Sequence, residues 1–152
     1  MLTFQKAVSD KNERLDFYLS ARSRSTSSLF SEERNARKIQ IEAVSLDDFL
    51  DDRVSVDIVK MDIEGGEVRA LKGMGRLLKR SPRVTMFVEC NPQALQHAGS
   101  SVKELFQVLR DYGFHALVID EEAKCLRMLE IGAIEGVKYV NLFCQRPSEY
   151  AG

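Results

Sequence analysis

Three carboxylates mark where this sequence offers chemistry: Asp62, Glu64 and Glu89. Asp62 and Glu64 follow the run Val56-Asp57-Ile58-Val59-Lys60-Met61, and Glu89 follows a second run, Val84-Thr85-Met86-Phe87-Val88. Both runs have the length and composition of buried strands. The acids therefore fall at the carboxyl ends of two strands, where open α/β sheets place their ligands. A carboxylate there can accept a proton from a hydroxyl as a general base, or ligate a hard cation such as Mg²⁺ through oxygen. Behind Glu64, Gly65-Gly66 supplies a tight turn, and Glu67 opens a helix whose N-terminus tolerates negative charge. Simpler roles compete: Glu64 can bond turn amides, Glu67 can be a helix N-terminal acid, and Asp47 and Asp48 can cap.

The elements that must hold these acids alternate. Strands are expected at 2–8, 15–19, 39–44, 56–61, 84–88, 115–119, 125–129 and 139–144, the first two joined at a hairpin edge through the turn Ser9-Asp10-Lys11-Asn12. Ser45 with Asp48 reads as a capping box before a short helix, 46–51. A helix over 67–79, with Val68, Leu71 and Leu78 inward, stops at Ser81-Pro82. Gly73-Met74-Gly75 lies inside that helical pattern, so it reads as helix packing or termination and not as a ligand loop. Ser101 with Glu104 is a second capping box, opening a helix that Gly113 ends. Residues 20–37 are Ser- and Arg-rich and read as a flexible loop, with Arg22, Arg24, Arg34 and Arg37 solvated. Strand–helix alternation requires right-handed crossovers, so the fold class expected is α/β: a partial doubly wound, mostly parallel sheet with an antiparallel last strand.

Length and charge narrow the functions. The 152 residues suit a single domain, 1–152. Basic and acidic residues number 22 and 23, a net charge of −1 that gives no general attraction to nucleic acid or anionic membrane. Apolar runs are too short to span a bilayer, and the start lacks a signal-peptide pattern, so a cytoplasmic location is expected. Cys90, Cys125 and Cys144 are odd in number and widely spaced, which disfavours both disulfides and zinc.

Taken in order, Ser45-Leu46-Asp47-Asp48-Phe49-Leu50, then Lys60-x-Asp62-x-Glu64-Gly65-x-Glu67, then Leu71-Lys72-Gly73-Met74, then Glu89 after a strand, resemble the FkbM family of S-adenosylmethionine-dependent methyltransferases. Ala7-Val8-Ser9-Asp10 is similar to the family's segment after its third strand. The resemblance implies a seven-stranded doubly wound sheet in the order 3-2-1-4-5-7-6, with 2–8 as strand three, 56–61 as four, 84–88 as five, 115–119 as six and 139–144 as seven. It implies S-adenosylmethionine as cofactor, with Ser9 and Asp10 near the adenine edge and Asp62 near the amino-acid end. Asp62, Glu64 and Glu89 are then the catalytic candidates for in-line transfer of a methyl group to a small-molecule or sugar hydroxyl, with no metal required. Against that pattern the domain is expected to be N-terminally incomplete. Strands one and two and their Gly-rich turn do not match, which leaves an apolar edge on strand four through which the chain could self-associate.

Two other readings stand beside this one. Asp62, Glu64 and Glu89 could bind Mg²⁺ for phosphoryl transfer, or the half-sheet could be a non-catalytic interaction module.

Overall fold

A computed structural model describes residues 1–19, 37–128, 131–134 and 136–147. Two mixed sheets and six short helices make an α/β fold among these residues. The smaller sheet holds β1 (Ala7–Val8), β2 (Glu13–Leu19) and β3 (Arg37–Val44), with β3 central. β1 runs parallel to β3 through only two residues, Ala7 opposite Ala43 and Val8 opposite Val44, whereas β2 pairs antiparallel with β3 over seven. The strand expected over 2–8 thus shrinks to its last residues, and 15–19 finds its partner in β3 and not in 2–8. Leu2 and Phe4 stay exposed; the Phe4 ring rests edge-on against Phe49 at 5.0 Å. The loop expected at 20–37 lies outside the described residues except for Arg37, which opens β3.

The larger sheet orders β4 (Ile58–Met61), β5 (Thr85–Cys90), β8 (Val140–Gln145), β6 (His115–Asp120) and β7 (Cys125–Arg127). β4 and β5 are parallel, from Ile58 opposite Thr85 to Met61 opposite Val88. β8 is antiparallel to both β5 and β6, and β7 is antiparallel to β6. One pairing of four is parallel, so the sheet is mixed where a mostly parallel one was expected. The cause is the last strand, which returns reversed into the middle of the sheet, together with the added hairpin strand β7. The order 4-5-7-6 of the family pattern is the order in which 56–61, 84–88, 139–144 and 115–119 stand. β4 is an edge strand with Ile58 69% exposed.

Alternation divides this sheet into two faces. Met86, Val88 and Cys90 of β5 are buried and join Met61, Leu142 and Cys144 in one core with helix residues such as Leu71, Leu105 and Leu109. Each such side chain contributes about 1.5–3 kcal/mol on burial. Thr85, Phe87 and Glu89 project from the opposite, half-exposed face. Cys90, Cys125 and Cys144 are free and strand-borne; burial pushes the thiols of Cys90 and Cys144 up to about 12.

The helices show where distant contacts override local pattern. In place of one helix over 67–79 there are two, α2 (Glu67–Lys72) and α3 (Gly75–Arg80). The Gly73 carbonyl between them accepts from Ser45 Oγ (2.9 Å) and from Asp47 N (2.9 Å). A Cβ on Gly73 would lie 2.0 Å from the Ser9 carbonyl oxygen, so only glycine lets β1 dock here. The capping box at Ser45 does not form: Ser45 Oγ is spent on Gly73, and α1 (Leu46–Phe49) has no side-chain cap. Asp47 instead caps α3, accepting from Arg76 N and Leu77 N. At Ser101 the cap half of the expected box forms: Ser101 Oγ accepts from Glu104 N at 3.1 Å, opening α5 (Val102–Asp111), while Glu104 Oε1 accepts from Lys72 Nζ, and Gly113 ends that helix at φ +80°. α4 (Pro92–His97) was not among the expected elements, and α6 (Ile131–Ile134) lies in a stretch without a clean sequence period. No helix among the described residues is long and apolar enough to cross a membrane.

Candidate functional site

The parallel pair β4–β5 carries the acids out of the sheet side by side. Asp62 follows Met61 directly, Glu64 sits two residues into the turn, and Glu89 is the penultimate residue of β5 on its half-exposed face. The structure brings the three together, with one carboxylate oxygen from each within 4.8 Å of the others. The turn that does this is strained: Glu64 takes φ +50°, a conformation that L side chains seldom adopt, and Gly65 follows at +101°. Gly65 also presses on α4, since a Cβ there would meet the Ala94 carbonyl oxygen at 2.3 Å.

Crowding of like charges sets the electrostatics. Burial, then the Asp62 carboxylate, raises the pKa of Glu64; burial, then Asp62 and Glu64, raises that of Glu89. Lys138 pulls both the other way, and Lys60 adds to its effect on Glu89. Lys60 Nζ lies 3.8 Å from Asp62. The result is a site of surplus negative charge that favours a cation or a proton in its midst.

Beside the cluster, a cavity of about 340 Å³ opens on the half-exposed face of the sheet, lined by Lys60, Asp62, Phe87, Glu89, Tyr139 and Asn141 among others. Phe87 gives the cavity an apolar surface and is itself packed edge to face on Phe143 at 5.6 Å. Asn141 pairs with Glu89 across the ladder, and its Nδ2 donates to Glu121 Oε1 at 3.0 Å. An apolar ring face flanked by amide and carboxylate groups suits a small polar organic molecule.

Two contributors were not singled out by sequence reasoning, and a third was given another role. Tyr139 and Asn141 belong to the last strand region, 77 and 79 residues beyond Asp62 in the chain, and only the insertion of β8 beside β5 brings them in. Glu67 read as a helix N-terminal acid, yet it is only 2% exposed, and its Oε1 accepts from Ile63 N (3.2 Å) and Gly65 N (3.3 Å). The turn-bonding role weighed for Glu64 is therefore filled by Glu67. Its spacing, three residues after Glu64 in a Gly-Gly turn, was the available signal.

Ser9 and Asp10 lie elsewhere, at the end of β1 against the α2–α3 junction. Ser9 is fully buried, with its N donating to the Val44 carbonyl at 2.8 Å and its Oγ to Asp10 Oδ1 at 3.0 Å. Asp10 is exposed and also accepts from Arg69 Nε at 3.0 Å; Arg69 bonds Glu13 as well. Partial burial would raise the Asp10 carboxyl, but the bonds from Arg69 and Ser9 hold it below its ordinary value. Asp10 is not a member of the acid cluster; α2 connects the two places, since it carries both Arg69 and Glu67.

No curated protein and no solved structure matches the chain. A family model described as Methyltransferase FkbM domain matches residues 2–116, from the segment before β1 through both acid-bearing strands to the start of β6. The match covers three-quarters of the sequence and includes Asp62, Glu64, Glu67 and Glu89, so the chain belongs to the FkbM methyltransferase domain family.

Proposed function

We propose that this chain carries the acceptor side of an S-adenosylmethionine-dependent O-methyltransferase site, built on a partial doubly wound sheet, that acts on a small-molecule or sugar hydroxyl. The observation that carries the reading is the meeting of Asp62, Glu64 and Glu89 within 4.8 Å at the tips of adjacent parallel strands, in a domain of this family. The donor set suits the cofactor, because three crowded carboxylates favour positive charge and the cofactor bears a sulfonium and an ammonium. When bound, S-adenosylmethionine supplies an electrophilic methyl group. Asp62 would hold its cationic end, and Ser9 and Asp10, the latter oriented by Arg69 and by the buried Ser9 hydroxyl, would stand toward its adenine edge. Glu89, with its raised pKa, takes the proton from the acceptor hydroxyl, and Glu64 is the alternate base. Phe87 and Asn141 orient the acceptor in the cavity, since alignment of the reactants supplies much of the rate.

A second reading takes the same three oxygens as ligands for Mg²⁺ in phosphoryl transfer, favoured by their mutual spacing. Calorimetric titration separates the two. Saturable binding of S-adenosylmethionine that weakens in D62N supports methyl transfer; Mg²⁺ binding without it supports the second reading. Neither ligand binding leaves a non-catalytic module.

A further inference from the structure

Nothing in Glu64 itself prefers a left-handed backbone, so its φ of +50° has to be imposed from outside. The imposing group lies across the turn. Glu67 Oε1 receives the amides of Ile63 and Gly65, the residues on either side of Glu64, at 3.2 and 3.3 Å. Its other oxygen, Oε2, is buried and has no hydrogen-bond partner among the described residues. A carboxyl in that setting is half satisfied: the orphaned oxygen costs free energy, while the bonded one satisfies two turn amides that an apolar side chain of similar size would leave without a partner. What this carboxyl supplies, and an apolar side chain cannot, is an acceptor for those two amides.

We propose that Glu67 is the positioning residue of the site: by accepting the two amides that flank Glu64 it fixes the left-handed turn and so carries Asp62 and Glu64 to Glu89. The neutral form can make the same two bonds, because the accepting oxygen needs only a lone pair, although the amides favour the ionised form. Burial raises the Glu67 pKa against the pull of the turn amides. The consequence for cofactor binding rests on the methyl-transfer reading above; the clamp itself does not.

Two variants of the full chain test it. E67Q keeps an acceptor oxygen in the same place, and E67L fills the space without one. Amide hydrogen exchange at Ile63 and Gly65 is measured against core amides of β5 and α5, and S-adenosylmethionine affinity by calorimetry. In E67L exchange at the two amides accelerates about tenfold or more while the core amides hold, and affinity falls by about the same factor. E67Q restores both to near the wild-type values. Unchanged exchange in E67L, or E67Q behaving as E67L does, overturns the proposal; so does faster exchange with unchanged affinity, which makes Glu67 structural only. Should E67L fail to fold, E67Q decides alone: slow exchange at both amides supports the clamp and fast exchange refutes it. A wild-type chain that binds no cofactor overturns the methyl-transfer reading and leaves the exchange measurement to judge Glu67.

Discussion

Two junctions in the larger sheet perform the same task, turning a parallel strand into a helix, and they are built in opposite ways. After β5 the local rules are kept: Asn91 sits at the N-cap with extended backbone, its Oδ1 accepts from Ala94 N at 3.1 Å, and Pro92 opens the helix. After β4 they are broken in succession. Glu64 and Gly65 take positive φ, Gly66 at the N-cap offers no side chain, and a buried carboxyl from inside the helix takes up the turn amides. The two junctions also touch, Gly65 against the backbone of Ala94. The regular turn is thus the platform on which the strained one rests, and the departures from local preference fall where the carboxylates gather.

If the strained junction serves chemistry and the regular one serves stability, variants on the two sides should fail in different ways. The largest effect is expected at the acids. With an acceptor found from a panel of hydroxylated small molecules and sugars, E89Q lowers the transfer rate about 10²–10⁴-fold. D62N weakens calorimetric cofactor affinity by about tenfold or more. Both variants fold as the wild type does, since both side chains are at least partly exposed. Transfer undiminished in E89Q would remove Glu89 as the base.

Next in size is the contact between the junctions. In G65A a Cβ meets the Ala94 oxygen at 2.3 Å at a position already at φ +101°, and urea denaturation should show a loss of about 3 kcal/mol or more. G99A, at φ +76° but facing open space, should lose only about 1 kcal/mol. Equal losses would mean that backbone conformation alone, and not the packing of one junction on the other, fixes Gly65. Below these comes N91A, which removes an ordinary cap: about 1 kcal/mol of stability is lost and cofactor affinity is unchanged.

The same contrast explains what could be read without coordinates. The Ser101 cap, the Gly113 stop and the strands at 84–88 and 115–119 are set by neighbours within a few residues; the cap, the stop and the strands form, although the strands, expected to be buried, bury only alternate residues in β5 and Val118 in β6. The acid cluster was legible because strand ends in an α/β sheet have a known polarity, so Asp62, Glu64 and Glu89 had to emerge on one side. What escaped depended on distant partners. Asp47 looks like a cap for α1 but caps α3, 28 residues on, and Gly73 breaks a helix because Ser45 captures its carbonyl; the place of β8 between β5 and β6 was expected from the family resemblance alone and not from local pattern. Glu67 was misjudged for a subtler reason. Its position suits the helix dipole, and only burial shows that it looks back into the turn.

The smallest expected effect is a slope with pH. Burial, outweighing the turn amides, holds the Glu67 carboxyl above its ordinary value of 4.5, so the folded chain keeps this proton to a higher pH than the unfolded chain does. Between those two values the folded state binds more protons, and the free energy of unfolding falls as pH rises. The contribution of Glu67 is thus full below about pH 4.5 and is lost as pH climbs through the folded value. E67Q keeps the acceptor and cannot titrate. Urea denaturation from pH 4 to 8 should therefore show E67Q gaining on the wild type as pH rises, with a constant difference at the acid end. At the regular junction no titrating group is involved, so the difference between N91A and the wild type should stay level over the same range. Parallel curves for E67Q and the wild type would mean that the folded chain holds Glu67 no more tightly protonated than the unfolded one. The clamp would then work through an ionised carboxylate, and its charge would have to be counted with those of Asp62, Glu64 and Glu89.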